Sequence, residues 1–159
     1  MTQPASNANR IVVGVDGSEE SKQALRWADY LAKLTGSSIT AVGAWTGLPA
    51  AAWAVTGAGA ISPEIFEDAA RASLTEALDE VFGADKAAGI TTHLREGSAA
   101  SVLVHASEGA LMLVVGSRGH GGFTGLLLGS VSSACAEHAK CPVFVVHGTN
   151  PPTLTPSGS

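Results

Sequence analysis

At 159 residues, with 45% hydrophobic and 14% charged side chains, the chain has the length and composition of one globular domain with a real core. A net charge of −5 and the lack of any Lys/Arg run argue against nucleic acid as the main partner. Cys135 and Cys141 are too few for a disulfide scaffold and match no common zinc spacing, so they are expected to be reduced core thiols.

Residues 1–9 are polar with no apolar core and are expected to be a disordered N terminus, not a signal peptide; a cytoplasmic setting is expected. Residues 10–16, Arg10-Ile11-Val12-Val13-Gly14-Val15-Asp16, form a short β-branched run that reads as a buried strand. Ser18 is the expected N-cap of the first helix, with Glu19 and Glu20 in its first turn. Ala24, Ala28, Leu31 and Ala32 give that helix an apolar face to about Leu34, and Gly36 ends it. The second strand spans 38–45.

No charged residue falls between Lys33 and Glu64, which raises a membrane span. Pro49, repeated glycines and frequent Thr and Ser argue instead for a strand followed by a long irregular loop, 46–62. Pro63 suits the first turn of a second helix, where Phe66, Ala70, Leu74, Ala77 and Val81 recur every three or four residues to about Phe82. A third, more exposed strand is expected at 90–96 and a helix at 99–107. A strand at 111–115, a helix at 131–139 and a last strand at 142–147 follow. The tail, 148–159, carries three prolines and reads as disordered, leaving one domain over 10–147.

Strands alternating with helices, the strands strongly apolar, predict a three-layer α/β sandwich with a five-stranded parallel sheet. Right-handed crossovers favour the order 3-2-1-4-5, reversing between the first and fourth strands. Ligands of open α/β sheets bind outside the carboxyl ends of strands at such a reversal. Here those ends are Asp16 and Gly116.

Gly116 also opens a glycine-rich segment that closes at Ser130, the expected N-cap of a helix starting near Val131. A strand, a glycine-rich loop and a helix N terminus together make an anion site, because free N–H groups and the helix dipole both favour negative charge. The segment reads as a phosphate-binding loop. It lacks the G-x-x-x-x-G-K-[S/T] of a P-loop, and no G-x-G-x-x-G follows the first strand, so neither a P-loop hydrolase nor a dinucleotide dehydrogenase is supported.

The spacing of Gly116 and Gly119, nine residues, then Gly129-Ser130 resembles the nucleotide-binding motif of the universal stress protein family. Ile11 to Ser18 is similar to that family's opening strand; Leu126-Leu127-Leu128-Gly129-Ser130-Val131-Ser132 and Cys141-Pro142-Val143 are similar to its closing third. The resemblance spans roughly residues 10–147. It implies a flavodoxin-like, HUP-type domain that binds ATP, or AMP or cyclic AMP, with or without Mg²⁺, commonly as a homodimer. By that resemblance Asp16, with Gly14 and Val15 beside it, approaches the ribose and adenine, and backbone near Ala44 holds the adenine. Val115, Gly116, Ser117, Arg118, Gly119, His120, Gly121 and Gly122 face the ribose and phosphates, and Gly129, Ser130, Val131 and Ser132 take the phosphates at the helix start. The acidic residue often seen before the family's fourth strand is Ala110 here, and the loop after the second strand is long and apolar.

Arg118 and His120 are candidate phosphate ligands, whereas His93, His105, His138 and His147 show no metal spacing. No catalytic residue is expected, since Asp16 is the only evident acid in the crevice and the loop supplies no lysine. The expectation is therefore a regulatory adenine-nucleotide-binding stress-response protein. A slow ATP-hydrolysing or nucleotidyl-transferring enzyme and a structural dimer without ligand are the alternatives. The last strand, 142–147, would leave an open edge, and a second copy of the chain is the expected cover.

Overall fold

The computed structural model describes residues 7–47, 62–118, 128–148 and 150–152. Five strands, β1 (Arg10–Gly14), β2 (Ser38–Trp45), β3 (Thr91–Glu96), β4 (Met112–Gly116) and β5 (Val143–Val146), form one sheet in the order β3-β2-β1-β4-β5. Every pairing is parallel, with Val12 in register with Thr40 on one side and Leu113 on the other. The expected strand order is therefore the observed one. Among the described residues, five helices connect and cover the strands: α1 (Glu19–Thr35), α2 (Pro63–Phe82), α3 (Ala84–Ala87), α4 (Ala99–Ala106) and α5 (Ser130–His138).

The apolar strands are buried on both faces, as a parallel sheet between two helical layers requires. Along β1 and just past it, Ile11, Val13 and Val15 point into a core with Ala24, Leu25, Ala28, Leu74 and Leu78 of α1 and α2. Val12 points the other way, into a core with Val42, Leu103, Leu113, Val115 and Cys135. Ile11, Val12 and Val13 are wholly buried, and each such side chain contributes about 1.5–3 kcal/mol by leaving water.

The first helix has the ends expected of it. Ser18 accepts a hydrogen bond from the Ser21 N–H at 3.2 Å, and Gly36 closes the helix with φ 67°. Lys22 then joins Glu19 at 3.1 Å and Glu80 of α2 at 2.6 Å. Asp29 receives Lys33 at 2.9 Å and Lys86 of α3 at 2.7 Å. Burial pushes the Asp29 carboxyl up, but those two ammonium groups outweigh it and hold it below the usual carboxylate range.

Several details differ from the expectations. A 3-10 turn, Asn7–Asn9, lies inside the terminus read as disordered, and the short helix α3 follows Gly83 where no element was expected. Gly129, not Ser130, occupies the N-cap of α5, with φ −74° and ψ 171°; Ser130 is the first helical residue. The reason is local: the Gly129 N–H donates to the Ser117 carbonyl at 2.7 Å and its carbonyl accepts from Ser133 at 3.0 Å, which sets the helix start one residue early. Most of the apolar loop 46–62 lies outside the described residues, as do 1–6 and 153–159. Among the described residues, no helix is long and apolar enough to cross a membrane.

Two consequences can be measured. A Cβ on Gly116 would sit 2.8 Å from the Cβ and 2.9 Å from the backbone carbon of Glu20, so Gly116→Ala must push α1 off the sheet end. Overpacking of this kind costs about 1–3 kcal/mol, read as a lower melting temperature; an unchanged one would show that this contact is not tight. Burial pushes the Cys135 thiol up to about 11, with nearby Cys141 adding to the shift. At pH 8 only about one thousandth of Cys135 is thiolate, so iodoacetamide should label Cys141 well before Cys135 in the native state. Equal labelling would overturn that burial.

Candidate functional site

A crevice opens at the carboxyl ends of β1 and β4, where the strand order reverses, as the topology rule requires. Its first wall is the turn between β1 and α1. Val15 still donates to the Val42 carbonyl at 2.9 Å, so the chain leaves the sheet in a fixed direction. Gly17 then takes φ 85°, a conformation strained for other residues, and reverses the backbone. The Asp16 Oδ1 accepts the N–H of Ser18 at 2.9 Å and also its hydroxyl, a side-chain turn that mimics a backbone one. The Asp16 N–H donates to the Ser21 hydroxyl at 3.4 Å. Asp16 is thus held at the crevice mouth and exposed.

The second wall is the end of β4 and the start of α5. The Ser117 N–H donates to the Val146 carbonyl of β5 at 2.8 Å. Its carbonyl accepts from the Gly129 N–H at 2.7 Å and from the Ser132 hydroxyl at 2.9 Å. These bonds clamp the N terminus of α5 against the sheet. No side chain caps that terminus, and the first-turn N–H groups have no carbonyl partner within the helix. They carry the positive end of the helix dipole, and Gly129, Ser130, Val131 and Ser132 all line the crevice.

The lining divides by polarity. Val15, Val42, Ala44, Leu103, Val115 and Val131 make an apolar side; Asp16, Ser21, Arg118, Ser130 and Ser132 make a polar one. The structure therefore brings together Gly14, Val15, Asp16, Ala44, Val115, Gly116, Arg118, Gly129, Ser130, Val131 and Ser132, all expected from the sequence. Gly119, His120, Gly121 and Gly122 lie outside the described residues.

Two serines depart from the expected role as ligand donors. Ser117 is buried and absent from the lining, and its N–H is committed to β5. The Ser132 hydroxyl is likewise turned to the carbonyls of Ser117 and Gly129. The Ser117 N–H and the Ser132 hydroxyl thus fasten the site, while the Ser132 N–H, in the first turn of α5, stays open to it. Ser21, Val42, Ala99 and Leu103 were not anticipated. Leu103 belongs to the helical period of α4, a signal for core that does not say which end of the sheet it reaches.

An uncapped helix N terminus beside an apolar slot and an exposed carboxylate can hold a ligand that is anionic at one end and flat and apolar at the other. Among the described residues, no group of three or more His, Cys, Asp or Glu side chains could hold a metal ion.

A profile of the Universal stress protein family matches residues 7–147. A universal stress protein of Mycolicibacterium smegmatis is 36% identical over 148 residues, covering 87% of this chain and 48% of that protein. One from Mycobacterium tuberculosis is 34% identical over 150 residues, 86% of this chain and 47% of that one. The chain thus spans about half the length of the curated relatives it matches. Among solved structures, a universal stress protein in complex with cyclic AMP is 27% identical with a TM-score of 0.64, over 89% of this chain and 99% of that one. UspA from Lactobacillus plantarum, 20% identical, shares the fold with a TM-score of 0.69 over 90% of this chain and 99% of its own. Profile, relatives and fold agree: the chain belongs to the Universal stress protein family.

Proposed function

We propose that the crevice binds an adenine nucleotide, ATP or its relatives AMP and cyclic AMP, and that binding regulates the protein rather than starting a turnover cycle. One observation carries the reading: the uncapped N terminus of α5 is clamped beside an apolar slot at the strand-order reversal. The first-turn amides of α5 would receive phosphate. Asp16 would accept from ribose hydroxyls, and the slot at Val42, Ala44 and Leu103 suits the purine face. The enclosed volume, about 140 Å³, is below the ~300–1,000 Å³ of whole-ligand pockets, so a nucleotide would extend past the rim over the helix start. The solved relative in complex with cyclic AMP supports an adenine ligand.

Regulation is favoured over phosphoryl transfer because Asp16 is the one carboxylate in the described lining and no lysine joins it. A Mg²⁺ ion would ride on the phosphates. Ligand binding would favour one arrangement of the segment between Gly116 and Ser130 and pass that preference to a partner. We include in the proposal a homodimer through β5, which is an edge strand, and a cytoplasmic setting in keeping with the free thiols Cys135 and Cys141.

Titration calorimetry with ATP, AMP and cyclic AMP tests the reading, and at least one should bind with a matching rise in melting temperature. Absence of both signals with all three nucleotides would end it. In Gly129→Val the new side chain starts 3.3 Å from the Ser117 carbonyl oxygen and crowds the helix start. Affinity should fall tenfold or more, while the unliganded fold loses only about 1 kcal/mol as a poorer N-cap. Asp16→Asn keeps an acceptor for Ser18 but removes the charge, and should weaken ribose-bearing ligands by about 1–2 kcal/mol. Full affinity in that variant would remove Asp16 from the site.

A further inference from the structure

The sheet carries a second concavity, on the same face as α4 but beyond its far flank. With eight residues, α4 packs Leu103 into the core against Val12 and Val42 and leaves the outer strand β3 only partly covered. The groove between α4 and β3 measures about 810 Å³, within the ~300–1,000 Å³ of small-molecule sites. Its floor is polar. Thr40 stands in register with Thr91, and Ser38 lies on the same side of β2, two residues before Thr40. Ser101 of α4 adds a fourth hydroxyl.

Each end of this floor is cationic. At one end is Arg10, whose Nη2 reaches only the Glu108 carbonyl at 3.4 Å and whose buried Nε has no hydrogen-bond partner. At the other is Arg95, which spends its donors on the Leu94 carbonyl at 3.1 Å and the His93 Nδ1 at 3.4 Å. Among the described residues, no carboxylate lies within ion-pair distance of either guanidinium. Lys22, Lys33, Arg71 and Lys86 are each paired with one. Among the described residues Arg26 and Lys140 also make no ion pair; what sets Arg10 and Arg95 apart is that both line one groove. Glu96 also lines the groove, and Glu108 sits beside His105 at 3.8 Å; neither carboxylate is within ion-pair distance of an arginine.

Register gives the scale. Arg10 is level with Ser38 and Arg95 with Ala44, six steps along β2, or roughly 20 Å between the two levels at ~3.3 Å per residue. Arg10 stands on β1 and Arg95 on β3, two strands apart, so the two are also offset by about 10 Å across the sheet, while the Arg95 guanidinium turns back along β3 toward His93. We propose that this groove binds an elongated small molecule with a phosphate at each end and hydroxyls between, the phosphates taken by Arg10 and Arg95 and the hydroxyls by the Ser/Thr floor. Guanidinium forks match phosphate bidentately, and the threonine and serine hydroxyls can both donate to and accept from a polyol. The site is separate from the nucleotide crevice and does not depend on it.

Fructose 1,6-bisphosphate is a suitable probe, with a phosphate at either end of a hydroxylated chain. Calorimetry on the full chain should show binding that is tighter than that of inorganic phosphate and weakens with added salt. Arg95→Gln and Arg10→Gln should each lower the affinity roughly tenfold or more, as expected for loss of a charged hydrogen-bonding partner. Arg95 is exposed, so its variant should fold normally. Gly129→Val, which crowds the crevice, should leave probe binding unchanged. Absence of binding at millimolar probe, or binding lost in Gly129→Val and kept in both arginine variants, would overturn the proposal.

Discussion

The backbone of Ser117 fastens three elements at the end of the sheet. Its N–H holds β5 through Val146, and its carbonyl holds the start of α5 through Gly129 and Ser132. These bonds spend the Gly129 N–H and the Ser132 hydroxyl on the protein itself and leave the first-turn amides of α5 to face a ligand. Their effect is to fix where the positive end of the α5 dipole lies. The affinity of a helix N terminus for an anion falls off within its first turn, so placement decides whether those amides act at all. Gly116 works on the same junction from the other side: without a Cβ, it lets the backbone of Glu20 close over the strand end. Crevice geometry is therefore set mainly by backbone, and its side chains refine it.

Much of this was legible because it rests on local signals. The β-branched run Ile11-Val12-Val13 and the apolar run Leu113-Val114-Val115 could be strands only in a sheet buried on both sides, and they are. Ser18 and Gly36 announced the ends of α1 through cap chemistry that needs no tertiary context. Asp16 and Gly116 could be placed at the reversal from strand order alone. Other features could not be read this way. Ser117 and Ser132 have the composition of ligand donors, yet which acceptor a hydroxyl or amide finds depends on neighbours fifteen or more residues away. The same holds for Leu103: helical periodicity marks it as core, and only packing brings it to the crevice. Gly129 displaced Ser130 as N-cap because its N–H had a carbonyl waiting on another element.

The two concavities rely on different chemistry. In the crevice the attraction for anions comes from backbone dipoles, which cannot titrate and stay oriented whatever the pH. In the groove beside β3 it comes from guanidinium groups on long side chains, which are always charged but must give up rotamer freedom to engage. Helix α4 stands between them, with Leu103 turned to the crevice and Ser101 to the groove. A shift of this short helix would be felt on both sides.

The central place of β1 has a consequence for how the chain comes into being. Its neighbours are β2, close behind it in sequence, and β4, which begins only at Met112. During synthesis the β4-facing edge of the first strand stays open until the residues of β4, about a hundred positions further on, have been made. Throughout that interval a run of bare valine and isoleucine backbone has nothing to pair with on one side, which is the kind of surface chaperones are there to shelter.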